Sequence, residues 1–187
     1  MEQKPIQNAT KIATKWAGIY TLIAIIITYI IELAAIDPNS AVKYVTFIPF
    51  VIFLYLAQKE YRETLGGYIS FGNAFSAGFR YSIFSGLFLA VFTYLYFTVL
   101  NPSSWQVVVD ATRTAMEAKD TPEAQIDKTL EIMDKYGKLL TAFGSAFSYG
   151  IFGAIISLIG AAIVKKERSP YDIAMDAEDP TNTDPTV

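Results

Sequence analysis

Two charged side chains stand in or beside otherwise apolar runs, and each could do chemistry there. Glu32 is the one acid inside WAGIYTLIAIIITYIIELAAI, residues 16–36. A carboxylate isolated in apolar surroundings can couple the movement of a proton or cation, because keeping its charge there is costly. Glu32 lies near the end of its run, however, beside Asp37, Pro38 and Asn39, where water or Lys43 could satisfy it. Arg80 closes GGYISFGNAFSAGFR and precedes the uncharged YSIFSGLFLAVFTYLYFTVL. That run already has spanning length, so Arg80 reads as a boundary anchor whose stem lies on apolar surface and whose head reaches polar ground. A buried functional charge is the alternative. Pro49, in FIPF, reads as a helix kink, with a gating hinge as the alternative.

Much chemistry is excluded by composition. The chain has no histidine and no cysteine, which removes the commonest general base, the commonest transition-metal ligand, thiolate nucleophiles and disulfides. No nucleophile is paired with a base, no carboxylates face one another, and the glycines of LGGYISFGNAFSAGFRYS match neither a Walker loop nor a dinucleotide fingerprint. We expect no catalytic, cofactor-binding or metal-binding residues, no cofactor and no nucleic acid partner.

The elements that position these residues are long and apolar. Of 187 residues, 52% are hydrophobic and only 18% charged, the balance of a membrane protein. A hydrocarbon core about 30 Å thick needs roughly 20 helical residues. Four stretches are read as spans: about 16–36, 42–58, 78–100 and 141–164. The first is too long for the apolar core of a cleaved leader. Lys4, Lys11 and Lys15 precede the first span, Lys59 and Arg62 separate the second from the third, and Lys165, Lys166 and Arg168 follow the fourth. Basic residues collect on the cytoplasmic side, so both termini are expected there, in the inner membrane. Trp16, Tyr44, Tyr61 and Trp105 fall near the span ends, where amphipathic rings prefer to sit.

Helical spacing around the third span puts Tyr68, Phe71, Phe75 and Phe79 on one face, toward lipid, and Gly72, Ser76 and Arg80 on another, toward a neighbouring helix. Gly66 and Gly67 provide the turn before it, and Ser70 the cap. In the fourth span, Gly144 and Ser148, then Ala146, Gly150 and Ala154, then Gly153, Ser157 and Ala161 repeat every four residues. Small residues so spaced let helices approach closely. Packing within the bundle is the first reading and a homo-oligomer the second.

Residues 101–140 carry two amphipathic helices. Asn101 caps and Pro102 starts the first, whose apolar stripe is Trp105, Val108, Val109, Thr112 and Met116. Thr121 caps and Pro122 starts the second, with Ile126, Leu130, Met133 and Tyr136 as its stripe and Gly137 as its break. The expected fold is all-α: an integral membrane four-helix bundle over residues 1–168, an external amphipathic hairpin between helices 3 and 4, and a disordered acidic tail, 169–187. The polar face of the hairpin, with Glu123, Asp127 and Glu131, is a candidate partner surface.

GGYISFGNAFSAGF, NPSSW, TPEAQIDKTLEIMDKYG and GAIISLIGAAIVKK, in that order, resemble an uncharacterised family of Bacteroidota membrane proteins, the domain of unknown function four-one-nine-nine, over about Lys15 to Lys166. The resemblance implies an inner-membrane four-helix protein and transfers no activity. The expected function is a non-enzymatic scaffold or partner-binding component of a cell-envelope assembly. The alternative is a small four-helix transporter or channel using Glu32.

Overall fold

The first described helix starts where Asn8 accepts the backbone N–H of Thr10 at 3.1 Å, a side-chain cap on an otherwise orphan donor. This computed structural model describes residues 8–34 and 41–168. Helix α1 spans Ala9–Leu33. A 3-10 segment, Ala41–Thr46, leads into α2, Phe47–Thr64. Helix α3, Phe71–Leu95, ends in a π turn, Tyr96–Leu100. Helices α4, Ser103–Glu117, and α5, Glu123–Ile132, follow. A second π turn, Met133–Gly137, joins α5 to α6, Lys138–Val164. The end of the first expected span at Ile36 and the expected acidic tail, 169–187, lie outside the described residues.

The described chain is all-helical apart from one antiparallel bridge, in which Ile69 and Lys166 exchange backbone hydrogen bonds of 2.8 and 3.0 Å. Three helical stretches are long and apolar enough to cross a membrane: Ala9–Leu33, Phe71–Leu100 and Glu123–Val164. These mark the protein as membrane-embedded. The second expected span is not among them, because α2 has 18 residues and its last turns carry Gln58, Lys59, Glu60, Arg62 and Glu63. Pro49 lies where the helix changes from 3-10 to α. It sits in the first turn of α2, directly after the 3-10 segment, where a proline is tolerated.

Helices α1, α2, α3 and α6 share one core. Ala13, Ala17 and Tyr20 from α1, Phe50 and Leu54 from α2, and Tyr81 and Leu89 from α3 form it, with Tyr149, Phe152 and Ile156 of α6 packed against them. Within a bilayer, burying apolar surface among helices gains little over burying it in lipid, so close packing has to hold them together. The side chains deliver it. Tyr20 meets Phe50 edge-on at 5.3 Å between ring centroids, and Phe50 meets Tyr149 in the same way at 5.2 Å. The opposite faces, with Leu22, Ile26 and Ile30 on α1 and Phe147, Ile151 and Ile155 on α6, are exposed, as lipid-facing residues would be.

The packed face of α3 differs from expectation. Gly72 and Arg80 are exposed, and a Cβ on Gly72 would touch nothing. The helix instead buries Ala74, Gly78, Ser82 and Gly86, another run of small residues at spacings of four, together with Ala77, Tyr81 and Ser85. Gly66 and Gly67 do make the preceding turn, at φ +75° and +89°, a conformation that side chains with a Cβ rarely adopt. Ser70 caps α3 by accepting from the Asn73 N–H at 3.4 Å.

Gly137 does not break its helix. Residues Glu123–Val164 run on as one helix of 42 residues, about 63 Å long, twice the thickness of a hydrocarbon core. The glycine serves a close approach: a Cβ on it would lie 2.5 Å from the buried Trp105 ring. Trp105 thereby locks α4 to the α5–α6 helix instead of sitting at a free interface.

Candidate functional site

Glu32 and the first residues of NPSSW come together at the hairpin end of the molecule. Glu32, in the last turn of α1, uses both carboxylate oxygens. The Tyr96 hydroxyl donates to one at 2.8 Å, and the Asn101 amide donates to the other at 2.7 Å. Asn101 in turn accepts the Ser104 N–H at 3.3 Å and the Ser103 hydroxyl at 2.7 Å, capping α4 as its sequence position suggests. The π turn makes this geometry. Its closing bond, Asn101 N–H to Tyr96 carbonyl at 2.8 Å, fits one extra residue into the turn and brings the Asn101 side chain to the Tyr96 hydroxyl, 3.3 Å away. The carboxylate is exposed, and it ties the end of α1 to the base of the hairpin.

Beneath Tyr96 lies a cavity of about 250 Å³ between α1, α3, α6 and the 3-10 segment. Leu89, Phe92 and Phe97 give it apolar wall, and Thr28, Ser145 and Tyr149 add hydroxyls. Among the described residues, no charged side chain lines it. Nothing in the sequence pointed here, because the lining residues come from four separate segments.

The hairpin keeps its predicted stripe on α4. Trp105 is buried, Val108, Val109, Thr112 and Met116 are half-buried, and Ile126 opposes them from α5. On its polar side, Arg113 lies 3.6 Å from both Glu123 and Asp127, so these acids form an internally paired ridge. Glu131, one turn on, is exposed.

At the other end the basic residues converge. Arg80 donates to the Thr10 hydroxyl at 3.0 Å, Arg62 to the Val164 carbonyl at 3.3 Å, and Lys15 to Glu60 at 2.6 Å, with the Trp16 indole on the same carboxylate at 2.6 Å. Arg80 is exposed and near the start of α1. Between these residues and the aromatic core sits Gln58, fully buried, which the sequence reading passed over as the polar end of a span. Its amide donates to the carbonyls of Ala74 on α3 at 3.1 Å and Ser157 on α6 at 3.0 Å, joining three helices. Its Oε1 and the Ser157 hydroxyl have no hydrogen-bond partner among the described residues. Gly153 packs one turn away: a Cβ there would overlap Ser82 and come within 3.2 Å of the Phe50 ring. Gly150 is looser, at 3.4 Å from Ile83. Gly144 and Ser148 are exposed, so that part of the small-residue pattern packs nothing within the chain.

No group of three or more acids stands close enough to hold a metal ion among the described residues. No curated protein and no solved structure matches the chain. Residues 15–166, which hold the Glu32 tie, the hairpin, the cavity and Gln58, match the family described as Protein of unknown function (DUF4199), and the chain belongs to that family.

Proposed function

We propose that the protein is a non-enzymatic scaffold, or partner-binding component, of a cell-envelope assembly. It sits in the inner membrane as a four-helix bundle of α1, α2, α3 and α6, with both termini cytoplasmic and the α4–α5 hairpin external. The convergence of Lys15, Lys59, Arg62, Arg80 and Lys166 at the end opposite the hairpin supports that orientation. The mounting of the hairpin carries the functional reading. Trp105 against Gly137, and Glu32 against Tyr96 and Asn101, hold it in a fixed attitude on the membrane helices. Rigid presentation lowers the ordering cost a partner would meet. Glu123, Asp127 and Glu131 make the surface offered.

A photo-crosslinking residue at Glu131 tests this in native membranes. The expected result is one discrete heterologous adduct, lost when the neighbouring Glu123 and Asp127 are reversed to Lys and missing from a probe at lipid-facing Ile155. Identical adducts from 131 and 155 would sink the proposal. The cavity favours a second reading, a small four-helix transporter or channel using Glu32, and flux lost in Glu32→Gln would select it.

A further inference from the structure

The cavity beneath Tyr96 has a definite chemical bias. A void of 150 Å³ holds benzene, so this one, at about 250 Å³, has room for roughly ten non-hydrogen atoms. Phe92, Phe97 and Tyr149 supply ring surface, and Thr28, Ser145 and Tyr96 supply oxygens. These three hydroxyls have committed their protons, and the Tyr96 oxygen in addition accepts from the Asn101 amide at 3.3 Å and lies 3.3 Å from the Ser104 hydroxyl. Thr28 donates to the Ala24 carbonyl at 2.8 Å, Ser145 to the Ala142 carbonyl at 2.7 Å, and Tyr96 to Glu32 at 2.8 Å. A hydroxyl has one proton to give and two lone pairs to accept with, so Thr28 and Ser145 keep acceptor capacity for an occupant, and the Thr93 hydroxyl on the same wall can accept or donate.

Charge points the same way. Among the described residues, no Lys or Arg lines the cavity to pair with an anion, whereas the Glu32 carboxylate stands one hydrogen bond behind Tyr96. Aromatic faces also attract cations, most strongly where water is scarce. We propose that this cavity binds a small organic ammonium, its hydrocarbon body among Phe92 and Phe97 and its N–H groups turned to the oxygens of Thr28 and Ser145. The inference is independent of the hairpin's partner surface, since neither α4 nor α5 lines the cavity.

Calorimetric titration of the full chain in phosphatidylcholine nanodiscs, corrected with empty discs, tests it with three probes of similar size: 2-phenylethylammonium, 2-phenylethanol and 3-phenylpropionate. The ammonium should bind saturably and about tenfold more tightly than the alcohol, and the carboxylate should not bind. Thr93→Phe, which fills the cavity from its wall, should abolish binding, while Gly144→Leu, on the exposed face of α6, should leave it intact. Should Thr93→Phe fail to fold, Glu32→Gln decides: the preference for ammonium over alcohol should fall about tenfold, with alcohol affinity unchanged. Equal affinity for the three probes, no heat beyond that of empty discs, or undiminished ammonium binding in Thr93→Phe overturns the proposal.

Discussion

Helices α3 and α6 do opposite things along their length. Toward the basic end they close until a Cβ on Gly153 would overlap Ser82, and one on Gly78 would lie 2.8 Å from the Ser157 hydroxyl. Toward the hairpin they part around a cavity of about 250 Å³. The residue sizes explain the change. Gly78 and Ser82 meet Ser157 and Gly153 at the tight end, Gly86 still lies against the Ala146 backbone, and past Gly86 the inner face of α3 becomes Leu89, Phe92 and Tyr96. Helices in lipid associate through packing and polar contacts, so a run of small residues acts as the adhesive and its end marks where space begins. The polar groups follow. Gln58 is sealed in the tight end and can only hold helices together, whereas Glu32 and the cavity hydroxyls remain reachable.

The largest way to break the contrast is a pair of identical substitutions on α6. Gly153→Leu must displace Ser82 and Phe50, both buried in the core, and should cost about 3 kcal/mol, the upper part of the range for overpacking. Gly144→Leu meets open space and should leave thermal stability in detergent unchanged. Comparable losses from the two would show that the ends do not differ in tightness.

Gln58 sharpens the same point with a smaller effect. Its two amide bonds join helices, yet hydrogen bonds between membrane helices average only about 0.6 kcal/mol. Gln58→Leu keeps the volume, gives up those bonds and removes the unpaired Oε1, so its net cost should be below about 1 kcal/mol. Gln58→Ala adds a void and should cost about 2 kcal/mol. A Leu variant as damaged as the Ala variant would mean that the amide, rather than the filled space, holds the three helices.

Much of the fold was legible because long apolar runs, the Ser70 cap and the α4 stripe are local signals. The packing face of α3 was not. Gly72 and Ser76 and the run Ala74, Gly78, Ser82 are both registers of small residues on a helix apolar nearly all round, and only the partner helix decides between them. Gly137 misled for a related reason: a glycine late in an amphipathic helix signals an end, and the Trp105 ring that needs its missing Cβ is far away in sequence. Glu32 was found as a lone charge, but its partners on the π turn required the turn itself. Gln58 offered no periodic signal at all.

At the open end, Glu32→Gln should act on the tie alone. A glutamine in the same rotamer accepts from Asn101 with its oxygen and sets its amide against the Tyr96 hydroxyl, so two charge-assisted bonds become weaker neutral ones. The expected cost is about 1 kcal/mol, read as about fivefold faster hydrogen exchange at the Ser104 and Trp105 amides, with the core around Gln58 unaffected. Loss of protection at Ala74 or Ser157 would show that the two ends are coupled.

The smallest effect belongs to the hairpin tip. Asp120 adopts φ +53°, a left-handed conformation that costs most residues about 1–2 kcal/mol and aspartate less. Asp120→Gly removes the strain but adds backbone entropy to the unfolded chain, and the two should cancel to within about 0.5 kcal/mol. Asp120→Val, β-branched and intolerant of that conformation, should cost about 1 kcal/mol. Because the tip touches neither the cavity nor the packed end, the penalty should appear only as faster exchange in α4 and α5. A fall in the melting temperature of the whole protein with Asp120→Val would mean that the hairpin and the membrane helices unfold as one unit, and that the contrast between the two ends is one of packing alone and not of cooperativity.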